Sequence, residues 1–190
     1  MKDLSNKVAI ITGSSSGVGA ATARLFASLG CHVVVNYNAN SAGAEQVAKE
    51  CEELGVETVC FGGSVANDTD CVAMVKAAMD KWGRVDILVN NAGTTKFVDH
   101  NNLDGLDAED FQRIYGVNVI GCYQMTRAAR AAMEANDEGG AVVNIASTAA
   151  VTGIGSSIAY AASKGAMVTM TMSLARVLGP KIRMNAVCPG

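Results

Sequence analysis

The run Tyr160-Ala161-Ala162-Ser163-Lys164 sets a phenol and an ammonium four residues apart, so that on a helix they lie on one side, one turn from each other. A free phenol ionises near pH 10, too high for efficient proton exchange at neutral pH, and a neighbouring cation lowers that by on the order of one to three units. The pair has the composition of a proton donor or acceptor. The same spacing also arises when a core tyrosine happens to neighbour a solvated lysine, so its meaning depends on what surrounds it.

A second stretch, Thr12-Gly13-Ser14-Ser15-Ser16-Gly17-Val18-Gly19, follows an apolar run and leads into Ala21, Leu25 and Phe26 at helical spacing. Glycines there let the backbone turn tightly and approach a pyrophosphate, and the free amides and positive dipole end of a starting helix attract an anion. Gly13, Ser14, Ser16, Gly17, Val18 and Gly19 are therefore candidate phosphate-loop residues. Asn118, in Val117-Asn118-Val119-Ile120-Gly121, interrupts a run of helical pattern where asparagine is disfavoured; it is either a buried structural amide or a working one.

The elements that must hold these groups alternate. Apolar runs at 8–11, 33–35, 56–61, 85–89, 142–145 and 182–187 predict buried strands, and helical patterns at 17–29, 42–54, 68–82, 107–135 and 157–178 lie between them. That order predicts one domain over 1–190, an α/β fold with a single doubly wound parallel sheet and helices on both faces. Its ligand crevice is expected at the carboxyl ends of the strands. The helices over 107–135 and 157–178 carry apolar residues on nearly all sides, including Val117, Ile120, Tyr123, Met167, Met172 and Leu178. One side should pack on the sheet and the other meet a second copy, giving a dimer or tetramer, unless further chain covers it.

Bulk properties narrow the function. Of 190 residues, 49% are hydrophobic and 17% charged, enough for an ordinary core, and the formal charge of -3 offers no basic surface for nucleic acid. The six cysteines form no C-x-x-C pair and only two histidines exist, which argues against a metal site and for buried thiols in a reducing, cytoplasmic setting. No apolar run approaches the ~20 residues of a membrane span.

The spacing G-x-x-x-G-x-G in Gly13 to Gly19, together with Asn90-Asn91-Ala92-Gly93 after the fourth strand and the Tyr160/Lys164 pair, resembles the short-chain dehydrogenase/reductase family over essentially the whole chain. Its nearest likeness is to 3-oxoacyl-acyl-carrier-protein reductases and sugar dehydrogenases. The resemblance implies an NAD(P)-dependent oxidoreductase that moves a hydride between nicotinamide and a carbonyl/alcohol substrate. It assigns Tyr160 as acid/base and Lys164 as its partner, the lysine also bonding the nicotinamide ribose. Ser147 would bond the substrate oxygen, with Thr148 as the competing hydroxyl, and Asn118 would support a relay water. Asn90, Ala92 and Gly93 are implied at the cofactor site, as are Val65, Pro189 and Gly190. The other reading is a nucleotide-binding sensor or scaffold without turnover.

Three positions depart from the family pattern. Asn36 stands where an NAD-preferring site ends its second strand in a carboxylate, so repulsion of a 2′-phosphate is missing and Ser14, Asn36 and Asn38 are candidate donors to it; NADP(H) is favoured and NAD(H) stays open. Ser64 replaces an aspartate that bonds adenine, a weaker acceptor. The sequence reaches Pro189-Gly190 without the substrate-covering lid and last strand that the resemblance implies, so a longer natural polypeptide is expected.

Overall fold

The computed structural model describes residues 3–190. Six strands, β1 (Val8–Ile11), β2 (His32–Tyr37), β3 (Thr58–Gly62), β4 (Ile87–Asn90), β5 (Gly140–Ile145) and β6 (Ile182–Val187), form one sheet in the order β3-β2-β1-β4-β5-β6. Every pairing is parallel. β1 shows why: all four residues are fully buried, Val8 and Ile10 in the core on one face and Ala9 and Ile11 in the core on the other. Such a strand needs apolar residues on both sides, which is the continuous run seen in the sequence.

Helices α1 (Gly17–Ser28) and α2 (Ser41–Glu52) cover one face through Ala23, Ala27, Ala44 and Val47. The opposite face takes α3 (Asp68–Trp82) through Met74 and Ala78, together with Met125, Met133 and Leu178 from later helices. α3 keeps its predicted bounds because the Asn67 side chain accepts from Thr69 N at its start and Gly83, at φ 69°, ends it.

The predicted helix over 107–135 is not one helix. It divides into α4 (Ala108–Tyr115), a π turn (Gly116–Gly121) and α5 (Cys122–Ala135). The wider turn carries Asn118, which is fully buried, and brings Gly121 so close to Val65 that a β-carbon on Gly121 would lie 2.6 Å from a Val65 methyl. Periodicity alone could not show this, because apolar residues continue through the break. A short helix, α6 (Ala149–Thr152), escaped the sequence pattern, and α7 (Ile158–Leu178) follows with its N-terminus capped by the Ser157 hydroxyl, which accepts from Tyr160 N.

Candidate active site

At the carboxyl ends of β1, β2, β3 and β4 lies a crevice of about 570 Å³. It opens where strand order reverses between β1 and β4, the place where such sheets bind ligands. Gly13, Ser15 and Ser16 form one wall and Ala92 and Gly93 another; Asn36 and Asn38 border it after β2, and Ser64 and Val65 after β3. Gly13 sits at φ +62°, and a β-carbon there would lie 2.9 Å from Ala92 Cα, so glycine is required for conformation and for the close approach. The Asn91 amide locks the two turns together, donating to the carbonyls of Thr12 and Gly13 at 2.9 and 3.0 Å. Thr12 Oγ1 in turn accepts from Asn91 N and Ala92 N, each at 3.0 Å.

Ser16 is the N-cap of α1 and makes no side-chain cap bond, so amides of the first turn remain without a side-chain partner beside the crevice. Glycine-lined walls at a helix start, in a crevice of this volume, fit the pyrophosphate and adenosine of a dinucleotide.

Several predicted cofactor residues either lie off the crevice wall or have their side chains occupied within the protein. Ser14 is fully buried and its hydroxyl is spent within the protein, donating to Ile11 O at 2.7 Å and accepting from Asn36 N at 3.0 Å. Asn36 borders the crevice, yet its Oδ1 accepts from Gly13 N at 2.9 Å and its Nδ2 donates to Tyr37 O, Phe61 O and Gly63 O at 3.0 to 3.3 Å. Neither side chain is a spare donor for a 2′-phosphate; Asn38 is exposed on the same border.

Asn90 points away from the crevice, donating to Asn144 Oδ1 at 2.9 Å and so tying β4 to β5, while its own Oδ1 is buried without a partner. Gly17, Val18 and Gly19 build the first turn of α1 without lining the crevice. Gly19 is needed for packing, since a β-carbon on it would lie 2.5 Å from Asn91 Nδ2. Pro189 and Gly190 flank Thr148, whose N donates to Pro189 O at 2.8 Å, and are likewise off the crevice wall. Ser64 keeps its place on that wall, its N donating to Asp70 Oδ2 at 2.9 Å and its hydroxyl accepting from Ala66 N at 3.3 Å.

Next to Gly93 of the crevice wall lie Lys164 and Asn118, with Tyr160 beside Lys164, the residues expected to handle the proton. Lys164 is 3% exposed, donates from Nζ to Ile145 O at 2.6 Å, and lies 5.6 Å from the centre of the Tyr160 ring. Burial pulls its amine down to about 8, partly opposed by the thiols of Cys122 and Cys188. Asn118 Oδ1 accepts from Thr94 N at 2.8 Å, and its Nδ2 donates to Thr94 O at 3.0 Å and to Ser163 Oγ at 2.9 Å. Gly93 closes the group: a β-carbon on it would lie 3.5 Å from Asn118 Oδ1 and 3.8 Å from Lys164 Nζ.

Ser147 follows β5, half-buried, and its hydroxyl accepts from Ala149 N at 3.1 Å, leaving its proton to donate; Thr148 beside it is exposed. Gly155 packs on the tyrosine, since a β-carbon on it would lie 3.3 Å from Tyr160 Cδ1. The sequence pattern missed Ser15, Asn91, Thr94, Arg113 and Val117 as crevice residues; only the Gly-rich and Asn-rich turns that contain the first two signalled them.

Residues 7–190 match the model of a family described as short chain dehydrogenase. The chain belongs to this family. A 3-oxoacyl-[acyl-carrier-protein] reductase of Synechocystis is 35% identical over 191 residues, 100% of this chain and 76% of the relative. An uncharacterized oxidoreductase of Methylorubrum extorquens is 37% identical over 191 residues, covering 100% and 75%. Among solved structures, a Burkholderia xenovorans protein assigned to the short-chain dehydrogenases/reductases superposes with a TM-score of 0.94 at 46% identity, covering 97% of this chain and 76% of that one. An NAD+-bound xylitol dehydrogenase gives a TM-score of 0.92 at 30% identity, covering 100% and 72%. As a short-chain dehydrogenase the chain is an NAD(P)-dependent oxidoreductase with a Rossmann-like sheet. Among the described residues no helix is long and apolar enough to cross a membrane.

Proposed function

We propose that this short-chain dehydrogenase interconverts a small-molecule carbonyl and its alcohol, with Tyr160 as the acid/base and NADP(H) as the preferred cofactor. The observation that carries the reading is the buried Lys164 amine beside the Tyr160 ring and next to Gly93, which lines the glycine-walled crevice. A bound nicotinamide dinucleotide supplies or accepts the hydride. Gly13, Ser15 and Ser16 would hold its pyrophosphate against the start of α1, and Ser64 and Val65 would border its adenine.

In reduction, Ser147 donates a hydrogen bond to the substrate oxygen while Tyr160 Oη gives that oxygen its proton, so the carbonyl leaves as an alcohol; oxidation runs the same transfer backwards. The Lys164 ammonium stabilises the charge left on the phenolic oxygen, and it would bond the ribose hydroxyls of a bound dinucleotide and so help position the nicotinamide. Asn118, which gives both amide protons and accepts from Thr94 N, supports the proton route by holding Thr94 and Ser163 in place. Asn38 replaces Asn36 as the donor expected to reach a 2′-phosphate.

The relatives' names mention a 3-oxoacyl-[acyl-carrier-protein] and xylitol, so 3-oxoacyl thioesters and polyols both belong in the test. NADPH oxidation with 3-oxoacyl thioesters and ketones, and NADP+ reduction with polyols, should show turnover that Tyr160→Phe abolishes. A protein that binds NADPH but turns over none of these substrates would favour a nucleotide sensor and overturn the reading. Ile120 and Tyr123, with Met172 and Val177 on α7, are exposed apolar residues; they support pairing with a second copy of the chain, which sedimentation would reveal as a dimer or tetramer.

A further inference from the structure

Among the described residues, Arg113 is the one cationic side chain on the crevice wall. It sits on α4 four residues before Val117, which lines the same crevice, so both face one way. Its guanidinium is held loosely: Nη1 donates to Thr94 Oγ1 and Nη2 to Asp110 Oδ1, each at 3.3 Å.

Asp110 pairs with Arg113, yet this one carboxylate is shared by two cations, so the group keeps a net positive charge. The stronger partner of Asp110 is Lys96, whose Nζ lies 2.5 Å from Oδ2, and the Lys96 ammonium is the main reason its carboxyl stays below the usual carboxylate range. Arg113 therefore keeps most of its five N–H donors, and the group its net charge, for another anion. Thr94, which steadies it, directly follows Gly93 and is bonded by Asn118, so Arg113 stands toward the proton-handling end of the crevice. Asn38, by contrast, follows β2, two strands away from β4 across the sheet. The anion between these two ends of a bound dinucleotide is its pyrophosphate.

We infer that Arg113 is a pyrophosphate-binding residue, closing over the anion from the wall opposite the start of α1 and making up for a Gly-rich loop that contains no Arg or Lys. The inference rests on the proposed dinucleotide site. It predicts that Arg113 adds affinity to any ligand with a pyrophosphate, whatever its ribose carries.

The test is calorimetric titration of NADH, NADPH and ADP into the wild-type protein, Arg113→Met and Arg113→Lys. Arg113→Met should weaken all three ligands alike, by about tenfold, and Arg113→Lys should recover most of the loss. Unchanged NADH and ADP affinity in Arg113→Met overturns the inference. So does a loss confined to NADPH, which would assign the cation to the 2′-phosphate, or an Arg113→Lys variant as weak as Arg113→Met, which would mark a packing role. If the wild-type protein binds none of the three, the dinucleotide site itself fails, and that outcome is separate from any result on the variants.

Discussion

The Asn118 amide donates to the Ser163 hydroxyl at 2.9 Å, and that hydroxyl donates to Tyr160 O at 2.7 Å, so the π turn is bonded to α7 between its tyrosine and its lysine. With Thr94 held by the same amide, one side chain ties the turn after β4 to two helices. The π turn, the turn after β4 and α7 are thus joined through one side chain.

Replacing Asn118 with alanine leaves the Thr94 N–H and the Ser163 hydroxyl short of partners in a buried place. The expected cost is on the order of 2–4 kcal/mol, read by urea unfolding, with turnover falling as Tyr160 and Lys164 lose their alignment. A variant as stable and as active as the wild type would show that the amide positions nothing.

Tyr160→Phe keeps the ring that packs under Gly155 and removes the transferable proton. Turnover should drop by orders of magnitude while NADPH affinity stays within about twofold, in keeping with loss of an acid/base group. Ser147→Ala should cost about 10²-fold or more, whereas Thr148→Val, altering an exposed side chain, should cost far less. The reverse ranking would move the substrate contact to Thr148.

Lys164 gives the ligand-free protein an unusual dependence on pH. Below about 8 the amine is charged in both folded and unfolded chains, and the full penalty of burying it is present. Between about 8 and the ordinary lysine value near 10.5 the unfolded chain still holds the proton and the folded one has released it, so stability rises with pH across that window. The gain should be on the order of 2–3 kcal/mol, and Lys164→Met should lack it when urea midpoints are compared at pH 7.5 and 10 (chosen as roughly the window's two sides). The same substitution should weaken NADPH binding, because a ribose donor is lost.

Cofactor choice separates two asparagines that look alike in sequence. Asn38→Asp puts a carboxylate on the exposed border of the crevice and should weaken NADPH about tenfold or more relative to NADH. Asn36→Asp instead sets a carboxylate against the carbonyls of Tyr37, Phe61 and Gly63, so its main effect should be lost stability. Titration and thermal unfolding of both variants distinguish the two roles.

The alternation of strands and helices was legible because buried parallel strands leave unmistakable aliphatic runs, as Val33, Val34 and Val35 do in β2. So was the Tyr160/Lys164 pair, whose four-residue spacing is a local property of α7. Asn90 and Asn91 could not be told apart, since adjacent residues leaving a strand face opposite ways and which way is decided by the packing of α5. Arg113 and Thr94 lie 19 residues apart and become neighbours only once α4 folds back over the turn after β4. Nothing in either residue's local pattern announces that meeting.

The sheet order has a consequence for how the molecule opens. β1, β2 and β3 pair with their neighbours in sequence, as do β4, β5 and β6, and the two trios are joined along β1 and β4 by Ala9, Ile10 and Ile11 facing Ile87, Leu88 and Val89. That seam is the pairing with the longest loop to close, and so the slowest contact to form from a disordered chain. The crevice lies directly at its end, with walls drawn from both trios, so whatever binds there acts as a clasp across the seam. Occupancy is thereby coupled to the integrity of the whole sheet, and the amides of Thr12 and Asn91, which bridge the two trios at that end, are where hydrogen exchange should slow most when the clasp is shut.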